Sequence, residues 1–285
     1  MGEHRDRASG WQYAKYSGHE NEWRVKQLLD NDPEYADDFL YRIGVSGAKI
    51  IGTSIGGLHE TNVPSVTGTR KTKSKTDLKV FLDDDSVVNV SVKKSLGGQV
   101  YLISAEAFVA IFEKRFGKSI PNSVRKAMAL FWAAADDAVD IIEEYADRSN
   151  ERDFMLQLRH RSLNAATLRA YDRKLYNKLL GWFTENADRI AWLCFSMGAV
   201  RDSEEWAQFV WYKNMVDDDA DAHDVDELFP INDICDAVYD CAEIGTCYGT
   251  KNGGTTIQLP FGFVQWHQGC MQFHHDYWKL KNLLG

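Results

Sequence analysis

The alternation in residues 76–95, TDLKVFLDDDSVVNVSVKKS, constrains this chain more than any other stretch. Leu78, Val80 and Leu82 alternate with Asp77, Lys79 and Phe81; beyond an acidic turn, Val88, Val90 and Val92 alternate with Asn89, Ser91 and Lys93. Successive side chains on a strand point to opposite faces, so the pattern predicts a hairpin whose strands each carry one apolar face. Burial of that face predicts Leu78 opposite Val92, Val80 opposite Val90 and Leu82 opposite Val88, because a slip of one residue would turn the buried face to water. The same register sets Asp77 opposite Lys93 on the other face, with Cβ atoms about 5 Å apart and Ser91 next along the strand.

A carboxylate and an amine held together on rigid backbone suit phosphodiester hydrolysis. Asp77 offers a hard oxygen to a divalent metal, which acidifies a bound water, while Lys93 orients or deprotonates that water and offsets charge on the phosphorane. For these two residues alone, the alternative is an exposed ion pair across a hairpin. The flanks bear on the choice. Arg70, Lys71, Lys73, Lys75, Lys79, Lys93 and Lys94 crowd the hairpin, whereas acids gather in residues 136–147 and 217–227. The net charge of −9 counts against a nucleic-acid partner only as an average; a local basic stripe still binds phosphate, steeply weakened by salt. The basic run RKTKSK, residues 70–75, leads straight into Asp77 out of a Gly, Thr and Ser-rich loop that begins at Gly52. It reads either as a phosphate-contacting arm or as a solvated loop.

Helical periodicity starts near Ser17 or Gly18 and carries Trp23, Val25, Leu28 and Leu29 as far as Pro33. Glu22 in that helix either serves the helix dipole or points into the site to steady a metal or its water. From Ala105 to about Tyr212 the pattern is helical, with Phe108, Ile111, Phe112 and Phe116 early and Trp206, Phe209, Val210 and Tyr212 late. The C-terminal TTIQLPFGFVQWHQGCMQFHHDYWKL returns to strands, with Gln268 and Gly269 in a turn. Gln258, Gln265, His267 and Gln268 on this ribbon, and Gln99 after the hairpin, have the amide and imidazole groups that read base edges; polar surface is the alternative. The acidic tract 217–227 lacks the glycine and glutamate of a calcium loop and reads as solvated surface. No apolar run approaches the ~20 residues of a membrane span, and the N-terminus has no apolar signal segment, so a cytoplasmic location is expected. Five cysteines, Cys194, Cys235, Cys241, Cys247 and Cys270, form an odd set without CxxC, which favours reduced thiols over disulfides or zinc.

Asp77 followed by Ser91-Val92-Lys93 resembles the PD-(D/E)XK nuclease motif, with Thr76-Asp77 at the PD position and Ser91 where that family usually has Glu, Gln or Asn. The order of Asn21-Glu22 on an N-terminal helix, SKTDLKV, NVSVKKS, the helical segments LLGWFTENADRI and DSEEWAQFVW, a TTIQ strand and MQF is similar to that of small type II restriction endonucleases that cut short GC-rich DNA sites. The resemblance implies an α/β, restriction-endonuclease-like fold: a mixed β-sheet core flanked by helices, with a helical subdomain inserted. The expected division is 1–104 for the N-terminal part of the core with the hairpin, 105–230 for a helical region, and 231–285 for a C-terminal helix and β-ribbon completing the core and contacting DNA.

For function, the resemblance implies Mg²⁺-dependent, sequence-specific cleavage of double-stranded DNA. Asp77 becomes the metal ligand, Lys93 the catalytic lysine and Glu22 the supporting acid. Because the Ser91 hydroxyl is a poor ligand, either Glu22 and a backbone carbonyl, that of Val92, complete the shell or the protein holds its metal weakly. Lys94 and Ser95 join Arg70, Lys71, Lys73 and Lys75 as DNA-contacting residues. A monomer or homodimer is expected, with no membrane partner and with a cognate methyltransferase protecting host DNA. Two alternatives stand beside this: a structure-specific repair or recombination nuclease, and a DNA-binding defence protein weakened at Ser91.

Overall fold

The computed structural model describes residues 7–45, 47–57, 62–68, 71–216, 223–241 and 254–285. In chain order the elements are α1 (Arg7–Asn31), α2 (Pro33–Arg42), β1 (Ile50–Ile55), β2 (Val63–Pro64), β3 (Lys71–Thr72), β4 (Leu78–Leu82), β5 (Val87–Lys93) and β6 (Gly97–Ile103). Seven helices follow: α3 (Ala105–Phe116), α4 (Asn122–Trp132), α5 (Ala138–Tyr145), α6 (Glu151–His160), α7 (Ala165–Tyr171), α8 (Arg173–Glu185) and α9 (Ala187–Trp192). The chain closes with β7 (Phe209–Lys213), β8 (Asp226–Pro230), α10 (Ile231–Asp240), β9 (Ile257–Leu259), β10 (Gly262–His267), β11 (Cys270–Asp276) and α11 (Tyr277–Leu284). Among the described residues no helix is long and apolar enough to cross a membrane. The fold is α/β. Two compact units divide it: residues 1–65, 70–96 and 195–233 in the first, and 66–69, 97–194 and 234–285 in the second.

The first unit is built on a five-stranded mixed sheet in the order β1-β4-β5-β7-β8, antiparallel throughout except for the parallel pair β5 and β7. The apolar face predicted for the hairpin is the one that is buried: Leu78, Val80, Leu82, Val88, Val90 and Val92 pack with Val25 and Leu29 of α1, Phe39 and Leu40 of α2, and Trp211. The register, however, is displaced by two residues. Leu78 pairs with Val90 and Val80 with Val88. A shift of two preserves which side chains face the core, so burial could not distinguish the two pairings; the turn does. Asp85 adopts φ +66°, its N–H binds Leu82 O at 3.2 Å and Leu82 N–H binds Ser86 O at 3.0 Å. The loop therefore closes over Asp83, Asp84 and Asp85 in the three-residue form with a left-handed last residue, and Val87 is left half-exposed at 39%.

Three further expectations are corrected. The first helix begins at Arg7, ahead of Ser17; it ends at Asn31, just before Pro33 as expected, and Pro33 in turn opens a second helix, with the Asp32 side chain capping Tyr35 N–H. Residues 52–75 are not one loop: β1 extends through Ile55, and β2 and β3 form a small ribbon. Phe209, Val210 and Tyr212 lie on β7, not on a helix. A short apolar run buried on both faces has no period to reveal it, and here the parallel pairing with β5 decides the outcome.

Asp226 departs from the solvated loop expected for the acidic tract, most of which lies outside the described residues. It begins β8, receives Tyr35 Oη at 2.6 Å and Trp211 Nε1 at 2.8 Å, and pairs with Lys213 and, at 2.9 Å, with Arg42. Burial works against its charge, but hydrogen bonds from Lys213, Tyr35 and Trp211 outweigh it and hold the carboxyl down at about 2.

In the second unit, β6 pairs with the C-terminal strands in an antiparallel sheet of order β6-β11-β10-β9; these strands do not join the hairpin's sheet. Phe273 on β11 stacks on Phe108 of α3 with ring centroids 5.6 Å apart, and Phe112 meets Trp182 of α8 at 4.9 Å. The aromatic stripe of the helical region is core. Gln268 and Gly269, at φ +51° and +77°, form the two-residue turn between β10 and β11.

Candidate functional site

The site is assembled within the first unit, where the chain enters β4. Asp77 N–H binds Val90 O and Gly56 N–H binds Asp77 O, both at 2.9 Å. Just upstream, Thr76 is fully buried; its Oγ1 donates to Glu205 O at 3.0 Å, and Ser74 Oγ donates to the same carbonyl at 2.8 Å. Asp77 is thus anchored from both sides. Gly56 makes the approach possible, because a Cβ there would lie 2.3 Å from Thr76 O, a backbone atom with nowhere to yield. Gly56→Ala is expected to cost about 1–3 kcal/mol of stability through this overlap; urea unfolding measures it, and an unchanged midpoint would show that the strand entry tolerates the methyl.

The two-residue register shift puts Ser91, rather than Lys93, beside Asp77. Asp77 Oδ2 accepts from Ser91 Oγ at 2.9 Å, from Val92 N–H at 2.9 Å and from Lys93 Nζ at 3.5 Å. Lys93 Nζ also donates to Ser91 Oγ at 2.6 Å, so the serine bridges amine and carboxylate. Ser91 is 2% exposed, and the Lys93 and Asp77 side chains are 16% and 21% exposed. This is not the exposed cross-strand ion pair of the alternative reading. The other carboxylate oxygen, Oδ1, accepts no hydrogen bond among the described residues. A Cβ on Gly57 would stand 3.5 Å from it, and Gly57 holds φ +67°, so a glycine keeps that oxygen uncovered.

Glu22 belongs to the same cluster. Burial first, and then the Asp77 charge, push its carboxyl up to about 9 against the pull of Lys93 and Lys73. Its position follows from Asn21, which is buried and clamps α1 to the end of β7: Asn21 Nδ2 donates to Lys213 O at 2.8 Å and Met215 N–H donates to Asn21 Oδ1 at 2.7 Å. His19, one turn earlier, meets Glu22 Oε2 through Nδ1 at 3.1 Å. Nothing in the periodicity singled out His19, Gly56 or Gly57; the i, i+3 spacing of His19 and Glu22 was the available signal.

A divalent cation fits this arrangement. Burial and the neighbouring Asp77 charge disfavour the ionised form of Glu22, which a cation would favour; one oxygen of Asp77 is tied down by three donors, and the other is uncovered. Among the described residues no three His, Cys, Asp or Glu side chains converge, so a cation here would rely on two carboxylates, a backbone carbonyl such as Val92 O, and water.

The remaining sequence candidates fall in different places. Lys71 and Lys73 are exposed and Lys75 is half-buried, its stem crossing Gly198 so closely that a Cβ there would lie 3.0 Å from Lys75 Cε. Arg70 lies outside the described residues. Lys79 is paired with Glu205 at 2.6 Å. Lys94 and Ser95 follow β5, and Lys94 O accepts from His223 Nε2 at 2.9 Å. In the second unit Gln265 Nε2 donates to Gln272 Oε1 at 3.0 Å and Gln272 Nε2 donates to Gln99 Oε1 at 2.7 Å, an amide ladder across three strands. Gln258 is half-buried and accepts from Lys279 Nζ at 2.7 Å, His267 ends β10, and Gln268 is at the turn.

No protein-family model matches the chain, and no curated protein matches it. Among solved structures it is similar to restriction endonuclease MspI in complex with its cognate DNA, at 11% identity and a TM-score of 0.45, over 92% of this chain and 87% of that one. A TM-score below 0.5 leaves the geometry of the hairpin site, and not this likeness, to carry the function.

Proposed function

We propose that this chain is a type II restriction endonuclease, hydrolysing phosphodiester bonds of double-stranded DNA at a specific short sequence with Mg²⁺. The observation that carries this reading is the division of labour at Asp77: one oxygen anchored by Ser91, Val92 and Lys93, the other uncovered, with a second carboxyl, Glu22, raised beside it. Asp77, Glu22 and the Val92 carbonyl would hold the magnesium ion, which supplies Lewis-acid polarisation of the phosphoryl oxygens and an acidified water. Lys93 holds an ammonium beside the reacting phosphate, where it offsets developing charge and, when neutral, accepts a proton from the attacking water. Ser91 keeps Nζ in place and gives Asp77 a proton donor. Clustered cations then position the backbone: Arg70, Lys71, Lys73, Lys75 and Lys94, with Ser95. Gln99, Gln258, Gln265, His267 and Gln268 read base edges. In a cell such an enzyme acts in the cytoplasm, as a monomer or homodimer, beside a methyltransferase that protects the host's own sites.

Duplex binding in calcium at several salt concentrations tests this. Lys71→Ala with Lys73→Ala should weaken binding to all duplexes alike and flatten the dependence of log affinity on log salt by about one unit per lost phosphate contact. Gln99→Ala or Gln265→Ala should cost roughly 1–3 kcal/mol on the cognate duplex and far less on a scrambled one. Equal losses on both duplexes would remove the amide ladder from sequence reading.

A further inference from the structure

We propose that His19 is a positioning residue that fixes the Glu22 carboxylate for metal binding, an inference that rests on the nuclease reading above. The two carboxyls of the site share one pattern. Asp77 has Oδ2 tied by three donors and Oδ1 without a partner among the described residues. Glu22 has Oε2 tied to His19 Nδ1 at 3.1 Å and Oε1 likewise without a partner among the described residues. Each therefore offers one oxygen while a neighbour holds the other.

The backbone of α1 is already fixed here. Asn21, between the two residues, is 1% exposed and hydrogen-bonded to both Lys213 O and Met215 N–H, so α1 cannot rotate without breaking both bonds. What remains free is the Glu22 side chain, whose rotamers would otherwise be lost on binding a cation. An ionised carboxylate only accepts, so His19 Nδ1–H is the donor when Glu22 is charged. His19 is 36% exposed against 15% for Glu22, placing it on the outer side of the pair. Its Nδ1 is engaged by Glu22 Oε2, and the part assigned to it is to hold that carboxylate rather than to bind the cation. A histidine that orients a metal-binding carboxylate from outside has a recognised weight: removing such a partner costs 10- to 100-fold in metal affinity or activity.

Manganese(II) affinity of the full chain without DNA, read by paramagnetic resonance of the free ion, tests the assignment. His19→Ala should weaken binding by about tenfold with an unchanged melting temperature. His19→Asn, whose Nδ2–H₂ takes the place of Nδ1–H, should return affinity to within about threefold of wild type. In cleavage, His19→Ala should raise the magnesium concentration needed for half-maximal rate and leave the rate at saturating magnesium nearly unchanged. If His19→Ala binds manganese as wild type does while Glu22→Gln is weakened, or if His19→Asn is as weak as His19→Ala, His19 has no positioning role and the nuclease reading survives. If wild type binds no manganese, both fall together.

Discussion

Lys93→Ala is expected to lower the rate of DNA cleavage by on the order of a thousandfold, the range spanned by removing a positioned acid–base group, with little change in folding stability. Nζ contacts Ser91, the Asp77 carboxylate and the Val92 carbonyl at once, and among the described residues no second lysine hydrogen-bonds Asp77 to replace it. Stability should hold because Asp77 Oδ2 keeps the Ser91 and Val92 donors when the amine is gone. Asp77→Asn should lose cleavage to a similar extent, since an amide presents a weak ligand where the carboxylate oxygen stood. Ser91→Ala separates the roles. It removes the bridge and leaves both charged groups, so its loss should be smaller than either. Single-turnover cleavage of a labelled duplex, together with thermal melting of each variant, measures all three. A Lys93→Ala enzyme within tenfold of wild type would take the amine out of the chemistry.

The second large effect concerns the fold. Asp226→Ala should destabilise the first unit by about 2–4 kcal/mol, because truncating one member of a partly buried charge cluster leaves the others uncompensated. Lys213 and Arg42 lose their shared anion, and Tyr35 and Trp211 lose their acceptor. The acid response follows from the same group. Its carboxyl sits at about 2 when folded against an ordinary 3.8, so the folded state binds its proton less readily than the unfolded chain does. The resulting stabilisation, about 2 kcal/mol, is fully present above the unfolded value and fades as pH falls from near 4 toward 2. Asp226→Asn should remove this part of the acid sensitivity. Guanidinium unfolding at pH 6 and pH 3 measures both effects; an Asp226→Asn protein that loses as much stability between those pH values as wild type would assign the acid response elsewhere.

Parity along β4 and β5 was legible in the sequence, because alternation declares which face is buried. Register was not: a shift of two leaves burial unchanged, and only the left-handed backbone at Asp85, a three-residue turn with no glycine to announce it, selects the observed pairing. Asp77 and Lys93 still meet, because a lysine stem is long enough to reach back along its own strand. The partnership of Glu22 with the hairpin could be suspected from its place in the first helix, but its environment depends on the Asn21 clamp, made across 192 residues of sequence. Such contacts have no local signature. Asp226 illustrates the same limit from the other side. Within a run of acids it looked like solvated charge, and only the meeting of α2, β7 and β8 surrounds it with Arg42, Tyr35, Trp211 and Lys213. The β7 strand escapes the pattern for a different reason: its apolar run Phe209 to Tyr212, buried on both faces at Val210, Trp211 and Tyr212, carries no period.

Incubating the purified chain with plasmid DNA in magnesium tests the central claim most directly. The proposed function predicts a small set of discrete fragments, absent when the metal is chelated and absent with Lys93→Ala. Intact plasmid under all three conditions, despite a folded and DNA-binding protein, would contradict it; a smear, or nicking confined to branched DNA, would contradict sequence-specific cleavage while leaving hydrolysis at Asp77 and Lys93 in place.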